Sequence, residues 1–276
     1  MPSAMSSTAD RDVPRGDLLL GPDDPPPYEL VNEAGAAPIL LVCDHASRAV
    51  PAALDRLGLD EALLMRHIGW DIGAAEVTRS LAARLDAPAV LAGYSRLVVD
   101  CNRDLDDPSA MPQESDGVVV PGNAALSPEA RRRRADAIYW PYHRAIADRL
   151  ERLTSAGRVP AMISIHSFTP VMKGFVRPWH VGVLWDADPR IPVPLLDRLR
   201  ANAELVVGDN EPYSAKEPAG YTVRAHAVSA GLPHVAIEIR QDLIDTASGA
   251  RRWAEILATA LEPILAEPEL YRVQHF

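Results

Sequence analysis

Three apolar runs in this chain each end on, or enclose, a side chain able to bind a metal or move a proton. Ile39–Cys43 runs into Asp44-His45, Ala161–Ile165 runs into His166, and Val235–Ile239 encloses Glu238. Neutral imidazole is a favoured zinc donor, and a catalytic zinc typically takes three protein ligands and keeps one position open. Two histidines therefore require a third donor, and Asp44, Asp71, Asp100 and Glu238 are the candidate carboxylates. Glu238 sits between Ile237 and Ile239, where a carboxylate is expensive to bury unless it is paired or metal-linked. Apolar walls raise its pKa, which suits a general base. The competing reading is a structural ion pair with Arg240, two residues on and so on the same face of a strand. Asp71, in Gly69-Trp70-Asp71-Ile72-Gly73, reads equally well as an N-cap of the helix that follows.

Tyr94-Ser-Arg96-Leu-Val-Val-Asp100-Cys-Asn102-Arg103 places two arginines around an acid and an amide. Arginine forks bind carboxylates and steady oxyanions; interior pairing of Arg96 with Asp100 is the bland alternative. Among the remaining histidines, His143 and His226 are candidates to line a cleft and His180 reads as packed. His67, His234 and His275 carry no expected role.

The elements that must position these groups follow from periodicity. Short apolar runs bounded by breakers read as buried strands, here 39–43, 89–92, 97–99, 161–166, 180–184, 205–207 and 234–239. Helices are expected at 60–68, 73–85, 192–203, 222–230 and 248–265. A long one opens at Ser127-Pro128-Glu129, with Ser as N-cap and Pro at the first helical position, and runs to Ser155. Its four arginines, Arg131 to Arg134, spread around the helix and read as a solvated face. The polar stretches 102–123 and 208–220 are long for connections, the length at which loops become lids or binding loops. Residues 1–32, with Gly21-Pro-Asp-Asp-Pro-Pro-Pro27, read as a flexible arm before a single domain, 33–276. Alternating strands and helices predict a three-layer α/β fold, a mixed, mostly parallel sheet flanked by helices. Histidines at strand ends match the place where such sheets gather ligands.

Composition narrows the function. Of 276 residues, 47% are hydrophobic and 24% charged, with a net charge of -10; this balance predicts a globular protein and argues against a nucleic-acid partner. Cys43 and Cys101 lie in apolar runs and are expected to be reduced, buried thiols. No apolar run reaches the roughly 18–20 residues of a membrane span, so a cytoplasmic protein with no membrane partner is expected. The chain has no Gly-x-Ser-x-Gly elbow, which disfavours a serine hydrolase.

Ser164-Ile-His166-Ser-Phe168, Asp100-Cys-Asn102-Arg103 and Ile237-Glu238-Ile-Arg240 resemble the zinc carboxypeptidase signatures. More closely, the chain resembles the N-formylglutamate amidohydrolase family from about Ile39 to Leu265. Asp44-His-Ala-Ser47, Trp70-Asp-Ile-Gly73, Pro141-Tyr-His143, Arg177-Pro-Trp-His180 and Gly208-Asp-Asn-Glu-Pro-Tyr-Ser214 carry that resemblance. It implies a phosphorylase/hydrolase-like, zinc-carboxypeptidase-like fold. It implies Zn²⁺, or another divalent ion, on His45, Asp71 and His166, with Glu238 as general base and Arg96 facing the oxyanion. Asn102, Arg103, Tyr213, His143 and Arg240 are then the expected substrate-binding residues. The implied substrate is a small anionic N-acyl amino acid of the N-formyl-L-glutamate kind, met in amino-acid and histidine catabolism by a monomer or small homo-oligomer. One position departs from the carboxypeptidase pattern: where His-x-x-Glu is usual, His45 is followed by Arg48, and Asp71 is assigned the carboxylate's place. Two rival readings are an amidase or carboxypeptidase acting on another peptide or acylated amino acid, and a non-catalytic metal- or ligand-binding protein.

Overall fold

The computed structural model describes residues 18–216 and 220–276. Most of the segment assigned to an N-terminal arm, residues 1–17, lies outside the described residues. The end of that segment is ordered, which corrects the boundary at residue 32. Tyr28–Val31 forms β1, antiparallel to β3 (Ala89–Ala92), so backbone pairing at the sheet edge orders it despite weak apolar patterning.

The chain continues through β2 (Ile39–Cys43), a short α1 (Glu61–Leu64), α2 (Ala74–Arg84) and β3. Inside the long 102–123 loop lies a small hairpin, β4 (Glu114–Ser115) and β5 (Val118–Val119). Its Asp116-Gly117 turn has positive φ at both residues, the geometry that closes a two-residue hairpin. Helices α3 (Pro128–Arg134) and α4 (Trp140–Ser155) are joined by a π-helical stretch, Ala135–Tyr139. Pro141 follows one residue later; with no N–H to give the preceding turn, it forces the hydrogen-bond ladder to widen there. The Ser127 hydroxyl accepts from the Ala130 N–H, the expected cap.

Next come β6 (Ala161–Phe168), a hairpin of β7 (Val171–Met172) and β8 (Phe175–Val176), β9 (Val181–Leu184), α5 (Pro192–Arg200) and β10 (Val207–Asp209). After a π-helical segment at Arg224–Val228 the chain closes with β11 (His234–Arg240) and α6 (Ala247–Leu265). Among the described residues no helix is long and apolar enough to cross a membrane.

The main sheet has seven strands in the order β1-β3-β2-β6-β11-β9-β10. The central pairs β3–β2, β2–β6 and β6–β11 are parallel, whereas β1 and β9 run antiparallel to their inner neighbours. Both faces are covered, so the inner strands carry continuous apolar runs rather than alternation. On one face α2, α5 and α6 pack against Ile163, Val183, Val235 and Ile237. On the other, α4 contributes Tyr142 and Ile146 against Leu40, Val42 and Val90. Within α6, Trp253, Leu257 and Leu261 are buried, each stabilising the fold by about 1.5–3 kcal/mol.

Two expectations are corrected. Leu97–Val99 is a buried turn, not a strand; Asn123 Nδ2 donates to the Leu97 carbonyl and Arg134 to that of Val98, so side chains replace a neighbouring strand. Arg134 is therefore not part of a solvated face. It is buried, donates also to Asn123 Oδ1 and the Gly122 carbonyl, and desolvation brings its pKa down to about 10. Cys43 and Cys101 are both free and buried.

Candidate active site

His45 lies two residues past β2, and His166 sits in β6 directly beside Glu238 of β11 in the parallel register. Opposed residues of neighbouring strands project to the same face of a sheet, so backbone pairing alone brings these two side chains together. Asp71 arrives from the turn before α2. Its N–H donates to the His45 carbonyl at 3.0 Å, which fixes the approach of its carboxylate. Gly73, not Asp71, caps α2, with φ of 81°. A Cβ there would stand 2.2 Å from the Ile244 carbonyl oxygen, so only glycine permits this turn.

The Asp71 carboxylate points inward. Asp71 Oδ2 lies 3.3 Å from His45 Nδ1 and 2.9 Å from His166 Nδ1. The donor atoms of the three residues all fall within 4.8 Å of one another, and all three residues are buried. The far nitrogen of each ring meets another carboxylate. His45 Nε2 is 2.7 Å from Asp100 Oδ1, and His166 Nε2 is 3.2 Å from Asp44 Oδ2. Tyr142 and Thr222 hydroxyls donate to Asp44 Oδ1 at 2.8 and 2.6 Å. Asp44 and Asp100, considered in the sequence as third ligands, thus stand behind the imidazoles. Carboxylates in that position orient metal-binding histidines and raise their basicity.

The charges fit a dication. Burial favours protonation of these acids but is outweighed in each. Hydrogen bonding and charge from His166 hold Asp44 down to about 2, His45 and His166 hold Asp71 far below the carboxylate range, and Arg96 and His45 do the same for Asp100. Among the described residues the guanidinium bonded to these anions is Arg96, whose Nε and one terminal nitrogen donate to Asp100 Oδ2 at 3.1 and 2.8 Å, with Arg103 adding charge near Asp100. The deficit falls on the two rings. Burial opposes their charging, yet the carboxylates raise the pKa of both. A divalent cation between the two Nδ1 atoms and Asp71 would answer the same deficit, and the N/O donor set suits zinc.

Glu238 completes the centre. It is 7% exposed, its Oε2 has no hydrogen-bond partner, and burial pushes its carboxyl up to about 7, with Asp71 adding to the rise. The expected alternative, a pair with Arg240, does not form, because Arg240 Nε turns to Asp242 Oδ1 at 2.8 Å.

A cavity of about 600 Å³ opens over these groups. Arg96, Asn102, Arg103 and Tyr213 border it. Arg96 also directs its remaining terminal nitrogen at Asp71 Oδ1, 3.5 Å away. Asn102 Oδ1 accepts from the N–H groups of Tyr221 and Thr222, which leaves its amide N–H₂ as the group it can offer a ligand. The Tyr213 hydroxyl accepts from Arg177, whose guanidinium lies 4.9 Å from the Tyr213 ring centroid.

Two expected substrate-binding residues do not reach the cavity. His143 lies on the buried side of α4, stacked on His226 with an Nδ1–Nε2 separation of 2.9 Å and its Nε2 at the Cys101 carbonyl. Arg240 lies one strand step beyond Glu238, tied to Asp242. Conversely, His67, given no role from sequence, borders the cavity 3.3 Å from Asp116. The only sequence signal for it was the neighbouring Gly69-Trp-Asp71 turn.

Comparison with known proteins bears on this arrangement. A family model described as N-formylglutamate amidohydrolase matches residues 37–245. An N-formylglutamate deformylase of Pseudomonas aeruginosa is 29% identical over 143 residues, 48% of this chain and 53% of that protein. The chain thus matches about half the length of that curated relative. The crystal structure of gene product Atu2144 from Agrobacterium tumefaciens aligns with TM-score 0.85 and 36% identity, over 89% of this chain and 99% of that one. An N-formylglutamate amidohydrolase from Ralstonia eutropha JMP134 shares the fold at TM-score 0.63 and 19% identity, over 87% of this chain and 97% of its own. The matched span, 37–245, takes in every group of the centre, from His45 through Asp71, Arg96 and His166 to Glu238, and the chain belongs to the N-formylglutamate amidohydrolase family.

Proposed function

We propose that this protein is a metal-dependent amidohydrolase that cleaves a small N-acyl amino acid of the N-formyl-L-glutamate kind, releasing formate and the free amino acid. The observation that carries the reading is the pairing of an unsatisfied buried carboxylate, Glu238 Oε2, with three convergent donors on the adjoining strand and turns. His45 and His166, through Nδ1, and Asp71, through Oδ2, are the residues that would hold the ion. When bound, a zinc or similar divalent ion supplies Lewis acidity toward the amide carbonyl and toward water.

The protein groups do the rest. Glu238 takes the proton of the attacking water and returns it to the leaving nitrogen, a role suited to a carboxyl pushed up to about 7. Arg96 remains charged and, held by Asp100, offers its third nitrogen where negative charge develops on the carbonyl oxygen. Arg103 and the Asn102 amide hold the substrate carboxylate at the same wall of the cavity, and Tyr213 closes over the ligand from the 208–220 loop. The unit built on the seven-stranded sheet, β1 included, acts as one catalytic domain in this scheme.

The test combines metal analysis of the purified protein with a formate-release assay over N-formyl amino acids. One bound divalent ion per chain and formate release that is lost on chelation and in Glu238→Gln support the reading. Release that survives chelation would remove the metal from it, and no release from any N-formyl acid would remove the activity.

A further inference from the structure

The cavity does not end at the catalytic groups. Strand β11 presents alternate residues to it: Glu238, then Ala236, then His234. At about 3.3 Å per residue, this row extends the floor roughly 13 Å from Glu238 along the face of the sheet. Val235 and Ile237, on the opposite face, are wholly buried under helices, yet Ala236 between them is partly exposed. A small residue left partly uncovered in an interior strand means that the described fold packs on it incompletely. Its cross-strand partners are Ser164 on β6 and Leu184 on β9; both border the same cavity, as do Trp185, Val223 and Val228.

We infer that this trench receives a bulky apolar side chain of the substrate, so that the range of N-formyl amino acids extends beyond formylglutamate to large aliphatic and aromatic ones. The inference rests on the amidohydrolase reading above. Continuity supports it, since an acyl nitrogen placed at Glu238 puts the rest of the molecule within one strand step of Ala236. Charge supports it as well. The floor residues Ser164, Ala236 and Leu184 carry no cation for a second carboxylate. His234, at the far end, donates from Nδ1 to the Leu232 carbonyl and faces Asp188 at 3.7 Å. Lys173 and Arg224 border the cavity but are exposed, and Asp186, exposed on the same cavity, opposes an anion.

The experiment measures binding of N-formyl-L-phenylalanine, N-formyl-L-leucine, N-formyl-L-glutamate and N-formylglycine to zinc-loaded Glu238→Gln by calorimetry. Turnover of the same four compounds is followed in the wild-type enzyme. Full burial of a phenylalanine or leucine side chain corresponds to roughly 10- to 100-fold tighter binding than the glycine derivative. Ala236→Phe, added to the same background, fills the trench and should cost the phenylalanine derivative at least about 10-fold more affinity than it costs formylglycine. Ala236→Val, a smaller step, should shift the ratio the same way and serves if the larger variant does not fold. Equal affinity for the phenylalanine and glycine derivatives, or equal losses on filling, overturns the trench. Formylglutamate turnover without any apolar preference leaves the hydrolase standing and the trench refuted. An apolar preference that depends on Ala236, with no turnover of any compound, does the reverse.

Discussion

Replacing Glu238 by glutamine should inactivate the enzyme and, in the metal-free protein, stabilise it. In an unfolded chain this carboxyl titrates near 4.5, and in the fold burial pushes it up to about 7. Between those values the folded state binds the extra proton. The stability linked to this group is therefore fully present below pH 4.5 and is lost as pH rises through 7. At about 1.4 kcal/mol for each pH unit, an ionised Glu238 costs the metal-free fold about 3 kcal/mol at pH 8. The E238Q side chain keeps the shape and carries no charge at any pH. In urea titrations with chelator present, E238Q should exceed the wild type by about 2–3 kcal/mol at pH 8. At pH 5, where both side chains are mostly neutral, the gap should shrink to about 1 kcal/mol or less. The difference between the two pH values reports this carboxyl together with the charges it acts on, His166 and Asp71 among them. With a divalent ion supplied, E238Q should bind it as the wild type does and lose about 10²- to 10⁴-fold in kcat, the contribution typical of a general base. A gap that does not change with pH would show that Glu238 is not desolvated as described. Undiminished turnover would show that it is not the base.

Three further outcomes follow from the same geometry. Asp100→Asn removes the carboxylate behind His45 and should weaken zinc affinity about 10- to 100-fold in competition with a chromogenic chelator, without loss of helical circular dichroism. Gly73→Ala forces a side chain toward the Ile244 carbonyl at a backbone with φ of 81°; it should lower the urea midpoint and displace Asp71, so that affinity for an added divalent ion falls as well. Arg134→Met strips buried carbonyls of Val98 and Gly122 and the Asn123 amide oxygen of their donor, and at about 1–3 kcal/mol for each unpaired group should destabilise the fold by several kcal/mol in chemical denaturation.

How much of this was legible in the residues themselves depends on how local each feature is. The apolar runs at 39–43, 161–166 and 234–239 are strands because their composition and length leave no other buried form, and the covered parallel sheet follows from them. The Ser127 cap and the end of β2 on Asp44-His45 are equally local. So is the placement of His45 just past one apolar strand and of His166 and Glu238 within two others, which already suggested a common centre. The edge strand Tyr28–Val31 was missed because pairing with β3, not its own pattern, makes it a strand.

Which carboxylate meets which nitrogen was decided elsewhere. Asp44, Asp71 and Asp100 are chemically alike and spread over 57 positions. Only the crossing of the β2, α2 and 94–103 segments turns Asp71 to both Nδ1 atoms and leaves the other two behind the rings. The same folding turned His143 toward His226, drew Arg240 to Asp242 and buried Arg134 among carbonyls. Periodicity reports which face of an element a residue occupies. The partner on that face is set by the sheet order β3-β2-β6-β11, which joins strands far apart in the chain, and by the desolvation that makes an unpaired charge too costly to leave where they meet.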